Sequence, residues 1–214
     1  MDGPGAAMHN RRDMNQRSTL IAATTLLAAA QLGYASADTK FLRSWREPSA
    51  GRLDFKKVLV MCIAEHESQR RFAEAELVRL MTRTKGVPAY SLLTQDEVKD
   101  EPKMRAVMLR EAFDGAITLR VIGGDQKHTE QPGAYSPAYG SFWSYYAMAW
   151  PGVTMGYVHT DRRMHMETQV YSMRDDKLVW TGITQTKNPK SAQQLVVDVA
   201  RAVAADLRKQ RLID

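Results

Sequence analysis

The chain has 214 residues, of which 44% are hydrophobic and 25% charged, with a formal net charge of +6 and a single cysteine. This length suits one domain with a sizeable core, and a lone cysteine excludes an internal disulfide framework. The basic residues are scattered along the chain, which argues against a nucleic-acid-binding stripe and favours a solubilising role.

Residues 1–37 have the three-part organisation of a secretory signal peptide. A short basic region at Arg17 precedes an apolar run at 20–32 and the small-residue triplet at 35–37. The apolar run is shorter than the roughly 20 residues that span a bilayer. We therefore expect cleavage after residue 37, with Met14 as an alternative start, and a periplasmic mature protein. No cysteine stands at the cleavage point, so a lipid-anchored cysteine is excluded and any outer-membrane association needs another contact.

Strands and helices are predicted to alternate in the first half of the mature chain. After an extended leader at 38–54, the α/β domain at 55–214 is predicted to open with a strand at 55–64, a helix at 68–83, a strand at 87–93, a helical turn at 94–97, a helix at 100–113 and a strand at 115–128. Crossovers of this length predict parallel or mixed strands, with the helices packed against the sheet.

Several residues are predicted to begin, end or bend these elements. Ser68 is expected to cap the first helix and Gly86 to end it in a left-handed conformation. Thr94 and Glu97 fit a capping box. The Gly123–Gly124 pair predicts a bend in the third strand.

The second half of the domain predicts a hairpin and a terminal helix. Residues 154–173 and 177–186 alternate around a tight turn, which indicates two antiparallel strands. A capping box at Ser191 and Gln194 then opens an amphipathic helix expected to lie across the sheet. The predicted fold class is a single α/β (α+β) domain: a mixed sheet of βαβαβ order, an antiparallel hairpin and a C-terminal helix packed on the sheet.

Three segments of this order resemble a known family. FKKVLVMCIA at 55–64, FDGAITLRV at 113–121 and LVW at 178–180 before a Thr-rich strand are similar to a family of uncharacterised bacterial envelope proteins, many of them lipoproteins. By element order the resemblance spans residues 41–213. It implies a core similar to the amino-terminal domain of TolB and to the curli-secretion lipoprotein. The family supplies no catalytic residues, and this sequence departs from it in lacking the lipid-bearing cysteine.

Residues 133–152 form an aromatic insert between the third strand and the hairpin. The insert has no Lys, Arg, Asp or Glu and holds seven of the 17 Phe, Trp and Tyr residues of the chain. These are Tyr135, Tyr139, Phe142, Trp143, Tyr145, Tyr146 and Trp150. With no helical stripe and no alternation, the insert is interpreted as a loop. The absence of charged residues indicates that the insert is shielded from water by a partner, by the protein's own sheet or by a bilayer interface. A partner-binding loop is favoured, with self-packing as the alternative.

Metal and catalytic patterns are weaker. Met164 and Met166 share one face of the predicted strand, while His165 and Glu167 share the other. This stretch, even with nearby His159, therefore does not gather copper ligands around one ion. The methionine face is predicted to be core and the His165 face solvent-exposed. Cys62 lies in an apolar run and is predicted to be a buried hydrophobe.

The sequence contains no phosphate loop and no nucleophile elbow. No catalytic residue, metal or cofactor is therefore predicted, and the leading interpretation is a non-enzymatic exported envelope protein. It is expected to bind an envelope protein or a membrane-surface partner through the insert, with homo-oligomerisation left open. The alternative is a periplasmic small-molecule or metal-binding protein, hydrolytic or not, using Glu65, His66 and Glu67 after the first strand.

Overall fold

Six strands in the described part of the chain form one mixed sheet. The computed structural model describes residues 38–51, 53–124, 137–151 and 163–213, so the predicted signal peptide lies outside the described residues. The strands are β1 (Asp38–Arg46), β2 (Lys57–Ile63), β3 (Lys85–Pro88), β4 (Gly115–Gly124), β5 (Arg163–Ser172) and β6 (Lys177–Lys187). Their order across the sheet is β1-β6-β5-β4-β2-β3.

The pairing confirms the predicted fold class of a mixed sheet. β2 runs parallel to both β3 and β4, because a helical crossover connects each successive pair. β4, β5, β6 and β1 pair antiparallel in turn, and β5 with β6 is the predicted hairpin. Strand β1 lies within the predicted extended leader and forms one edge of the sheet.

Five α-helices pack with this sheet in the described residues. They are α1 (Glu67–Arg79), α2 (Glu101–Glu111), α3 (Pro137–Gly140), α4 (Phe142–Ala149) and α5 (Ala192–Lys209). Short 3-10 turns at 89–91 and 97–99 connect β3 to α2.

The sheet has two buried faces with different covers. On the first face, α1 and α5 pack on apolar strand residues such as Val60, Ile117 and Met166. On the second face, α2 and α4 pack on a separate set that includes Met61 and Ala116. Alternation along each strand separates the two sets, so every central strand contributes to both cores.

The terminal helix follows its prediction closely. The Ser191 hydroxyl accepts a hydrogen bond from the Gln194 N–H at 3.0 Å, and the Gln194 amide oxygen accepts one from the Lys190 N–H at 2.9 Å. Val199, Val203 and other residues at helical spacing are buried in the first core, which confirms that α5 packs on the sheet.

Two predicted helix signals near α1 were wrong. His66, not Ser68, is the N-cap of α1, and its side chain makes no capping hydrogen bond. Gly86 does not end the helix, because the chain leaves α1 at Leu80 in a right-handed conformation and Gly86 lies within β3. Glycine is needed there for space: a Cβ at Gly86 would lie 2.8 Å from the Met81 sulfur.

The predicted bend of β4 is confirmed. The register with β5 shifts between Val121 and Gly123, and Gly123 has a φ of +100°. Pairing resumes after this bulge, with Gly123 opposite His165 and Gly124 opposite Met164.

Candidate functional site

The aromatic insert contains a helix where a loop was expected. Ser141 caps α4 by accepting from the N–H groups of Trp143 and Ser144. Asp176, in the hairpin turn, anchors the same end by accepting from the Ser141 hydroxyl at 2.5 Å and the Phe142 N–H at 3.0 Å. A polar cap and a second acceptor from another element therefore fix the start of this short helix.

The rings of the insert divide into two groups. Phe142, Tyr145 and Tyr146 are buried in the second core, as the self-packing alternative predicted. In this structure these three rings offer no surface to a partner, which corrects their assignment as contact residues. Tyr139, Trp143 and Trp150 are half-buried and pack against the same core, so part of each ring remains accessible. Tyr135 lies outside the described residues.

Contacts with α2 and its preceding turn hold α4 in place. The Tyr146 hydroxyl donates to the carbonyl oxygen of Val98. The Arg105 guanidinium lies over the Trp143 ring, 3.8 Å from its centroid, and pairs with Glu101 at 2.7 Å. Such a stacked and paired arginine covers one side of the ring.

The outward face of α4 carries no charge. Ser144, Ala147 and Met148 are exposed there, with 37% of Met148 accessible. On α2, one turn beyond Arg105, Leu109 is 81% exposed. An uncharged helix face with an exposed methionine is a small apolar surface, the feature that the insert adds to the outside of the domain.

Beneath α4, the second face of the sheet is unexpectedly polar. We call this set the polar layer; five members are buried and Arg120 and Gln185 are half-buried. The buried members are Thr118, His165, Glu167, Gln169 and Thr181. The prediction that His165 and Glu167 face solvent was wrong, because both are buried. The other half of that prediction is confirmed, since Met164 and Met166 lie in the first core.

A charged network forms the centre of the polar layer. The Glu167 carboxylate accepts from the Arg120 guanidinium and from the Tyr145 hydroxyl, each at 3.0 Å. Burial, and then the negative charge of Glu167, raises the pKa of Tyr145 well above its usual value. Tyr145 is therefore a neutral donor, and this hydrogen bond connects α4 to the sheet. Beside it, the His165 ring nitrogen Nε2 lies 2.9 Å from the Gln185 side-chain nitrogen.

A neutral row crosses the sheet next to this network. Gln169 of β5 lies opposite Thr118 of β4 and Thr181 of β6. All three are fully buried. The Thr118 and Thr181 hydroxyls and both ends of the Gln169 amide have no hydrogen-bond partner among the described residues. The hydroxyl of Tyr171, two residues along β5, is in the same situation.

A second buried charged pair serves the backbone. Glu74 accepts from the Cys62 N–H at 3.0 Å and the Tyr90 N–H at 2.7 Å, and Arg70 lies 3.6 Å away. β3 ends at Pro88, so the Glu74 carboxylate takes the place of a neighbouring strand for Cys62. Burial raises the pKa of Glu74 to about 7, against the opposing effect of its two N–H donors and of Arg70. This pair holds α1 to the sheet, a structural role.

The remaining predicted candidates do not converge. Glu65 and His66 are exposed, and Glu67 pairs with Arg71 at 2.8 Å on the surface of α1. Among the described residues, no three His, Cys, Asp or Glu side chains are close enough to hold a metal ion. His159 lies outside the described residues. Cys62 is buried as predicted, and burial raises the pKa of its thiol, which disfavours the reactive thiolate.

None of the helices in the described ranges has the length and apolar character that crossing a membrane requires.

The fold has similarities to solved structures at low TM-score. Two structures of the PelC dodecamer from Paraburkholderia phytofirmans share 11% and 10% sequence identity with this chain, with TM-scores of 0.41 and 0.42. They cover 76% and 78% of this chain and 94% and 96% of their own. A lipoprotein from Neisseria meningitidis shares 10% identity, with a TM-score of 0.34, over 72% of this chain and 96% of its own.

No protein-family model and no curated protein sequence matches the chain. The predicted similarity to the TolB amino-terminal domain and to the curli-secretion lipoprotein stays a prediction.

Proposed function

We propose that this protein is a non-enzymatic, exported envelope protein that binds another envelope component through the outer surface of the insert. The contact surface consists of the exposed residues of α4, the accessible parts of Trp143 and Trp150, and Leu109 of α2. The single observation that carries the proposal is the outward face of α4, which is uncharged and bears an exposed methionine on a chain that is 25% charged.

The composition of this surface suits protein binding. Half-buried tryptophans offer large contact areas with few rotatable bonds, and methionine adapts to irregular surfaces. The rings are held by the buried part of α4 and by Arg105, so little side-chain entropy is lost on binding.

Site-specific photo-cross-linking in cells tests the proposal. A photoreactive amino acid at exposed Ala147 is expected to capture one discrete partner, because this residue lies at the centre of the surface. The matched control is exposed Arg201 on α5, at the opposite face of the domain, which is expected to capture nothing specific. Equal capture at both positions, or none at Ala147, would remove the proposed surface.

Export is tested separately. The amino terminus of the protein isolated from the periplasmic fraction is expected to be Asp38. A cytosolic protein that begins at Met1 or Met14 would contradict the envelope location but would leave the contact surface standing.

A further inference from the structure

The buried neutral row on the second face has hydrogen-bonding groups without protein partners. Both ends of the Gln169 amide and the hydroxyls of Thr118, Thr181 and Tyr171 are unpaired among the described residues. All four side chains are fully buried. Leaving buried polar groups unpaired is unfavourable, so a native structure is expected to supply partners for them.

The register places these groups side by side without direct hydrogen bonds between them. Thr118 and Thr181 flank Gln169 on neighbouring strands, where opposed Cβ atoms are about 4.5–5.5 Å apart. Opposed side chains can bond directly at this spacing, as the Thr39 and Thr186 hydroxyls do at 2.8 Å, but the atoms of the row do not. One oxygen atom at about 2.8 Å from two of these groups would join them by two hydrogen bonds.

The chemistry of the row selects a neutral guest that both donates and accepts. Gln169 presents an N–H donor and a C=O acceptor, and each hydroxyl can do either. The row itself holds no charge, because the nearby Glu167 carboxylate is already paired with Arg120 and Tyr145. Water has the mixed donor and acceptor character that fits these groups. A buried water makes about three hydrogen bonds, so about two molecules would satisfy the five polar atoms.

We propose that the row of Thr118, Gln169, Thr181 and Tyr171 is an internal water-binding site, closed by α4. Tyr145 of α4 lies over it, with its ring centroid 6.0 Å from that of Tyr171. The bound water joins three strands beneath the insert by hydrogen bonds that the side chains do not make directly. This inference is independent of what the outer surface of α4 binds.

A threonine-to-valine series tests the site by the sign of the effect. Valine has the shape and strand preference of threonine, so Thr118→Val and Thr181→Val remove only the hydroxyl. If each hydroxyl binds water, both variants should lower the thermal unfolding midpoint, as Thr186→Val should by breaking its direct 2.8 Å bond with the Thr39 hydroxyl. If the hydroxyls have no partner, both variants should raise the midpoint, and the proposal falls.

A crystal structure of the full mature chain provides the second readout. An ordered oxygen within hydrogen-bonding distance of Gln169 and one flanking hydroxyl is expected, and its loss is expected in the Thr118→Val/Thr181→Val double variant. A side chain from residues 125–136 or 152–162 paired with Gln169, or a bound organic solute there, would overturn the assignment to water.

Discussion

The two faces of the sheet are covered in different ways. On the first face, the 18-residue helix α5 packs its apolar stripe onto apolar strand residues. On the second face, α4 has eight residues and lies over a layer that includes an ion pair and a neutral polar row. The first face is held mainly by burial of apolar side chains, with one hydrogen bond from Trp180 to Asp206 of α5 and one from the Cys62 N–H to Glu74 of α1. The second face combines aromatic packing with several hydrogen bonds to α4.

This difference separates the interactions that stabilise the domain from those that fix where a helix lies on the sheet. Apolar packing is non-directional, so α5 is located mainly by the shape of its stripe, together with the 3.0 Å hydrogen bond from Trp180 to Asp206. The short α4 gains orientation from the Tyr145–Glu167, Tyr146–Val98 and Ser141–Asp176 hydrogen bonds. A helix fixed in this way can present a constant outer surface even though it buries little area.

Large-to-small substitutions under each helix give the largest expected effect. Phe142→Ala on α4 and Leu207→Ala on α5 both empty fully buried positions. We expect each to lower the free energy of unfolding by about 3–5 kcal/mol, measured by urea denaturation. A cost below about 1 kcal/mol for Phe142→Ala alone would mean that the insert is not part of the core in solution. Deleting residues 135–150 is expected to unfold the domain for the same reason.

Breaking the ion pair of the polar layer is the next largest change. Glu167→Gln leaves the Arg120 charge without its partner, and we expect the free energy of unfolding to fall by about 2–3 kcal/mol. Arg120 retains some exposure, which keeps the cost below that of a fully buried pair. The control is the double variant Arg120→Met/Glu167→Leu, which removes both charges and should restore most of the loss. Equal losses in the single and double variants would contradict an electrostatic origin.

Removing one hydroxyl is expected to have a smaller effect. Tyr145→Phe keeps the buried ring but loses the 3.0 Å hydrogen bond to Glu167, and we expect a loss of about 1 kcal/mol by urea denaturation. If Tyr145→Phe has no cost, the connection between α4 and the sheet is packing alone.

The first face could be predicted from the sequence and much of the second could not. The capping box at Ser191 and the valines of α5 are local signals with a helical period. The helix α4 lacks a charged face, so its hydrophobic pattern has no period to detect; the Ser141 cap was the one local signal available. His165 and Glu167 alternate with core methionines as solvent-facing residues do, yet both are buried, Glu167 in contact with Tyr145 of the distant α4. Such coverage depends on contacts between residues far apart in sequence.

The smallest expected change in stability tests the outer surface. Met148→Lys places a charge on the exposed face of α4, where 37% of Met148 is accessible. We therefore expect the free energy of unfolding to change by less than about 0.5 kcal/mol. The same variant should strongly reduce partner capture by a cross-linker at Ala147, because a lysine ammonium is costly to desolvate in an apolar contact.

Met148→Leu is the matched control and should retain capture. Unchanged capture in the lysine variant would mean that the partner contacts the insert elsewhere, and unfolding of that variant would mean that Met148 is part of the core. A stable domain that loses its partner would instead assign stability to the buried side of α4 and recognition to its exposed side.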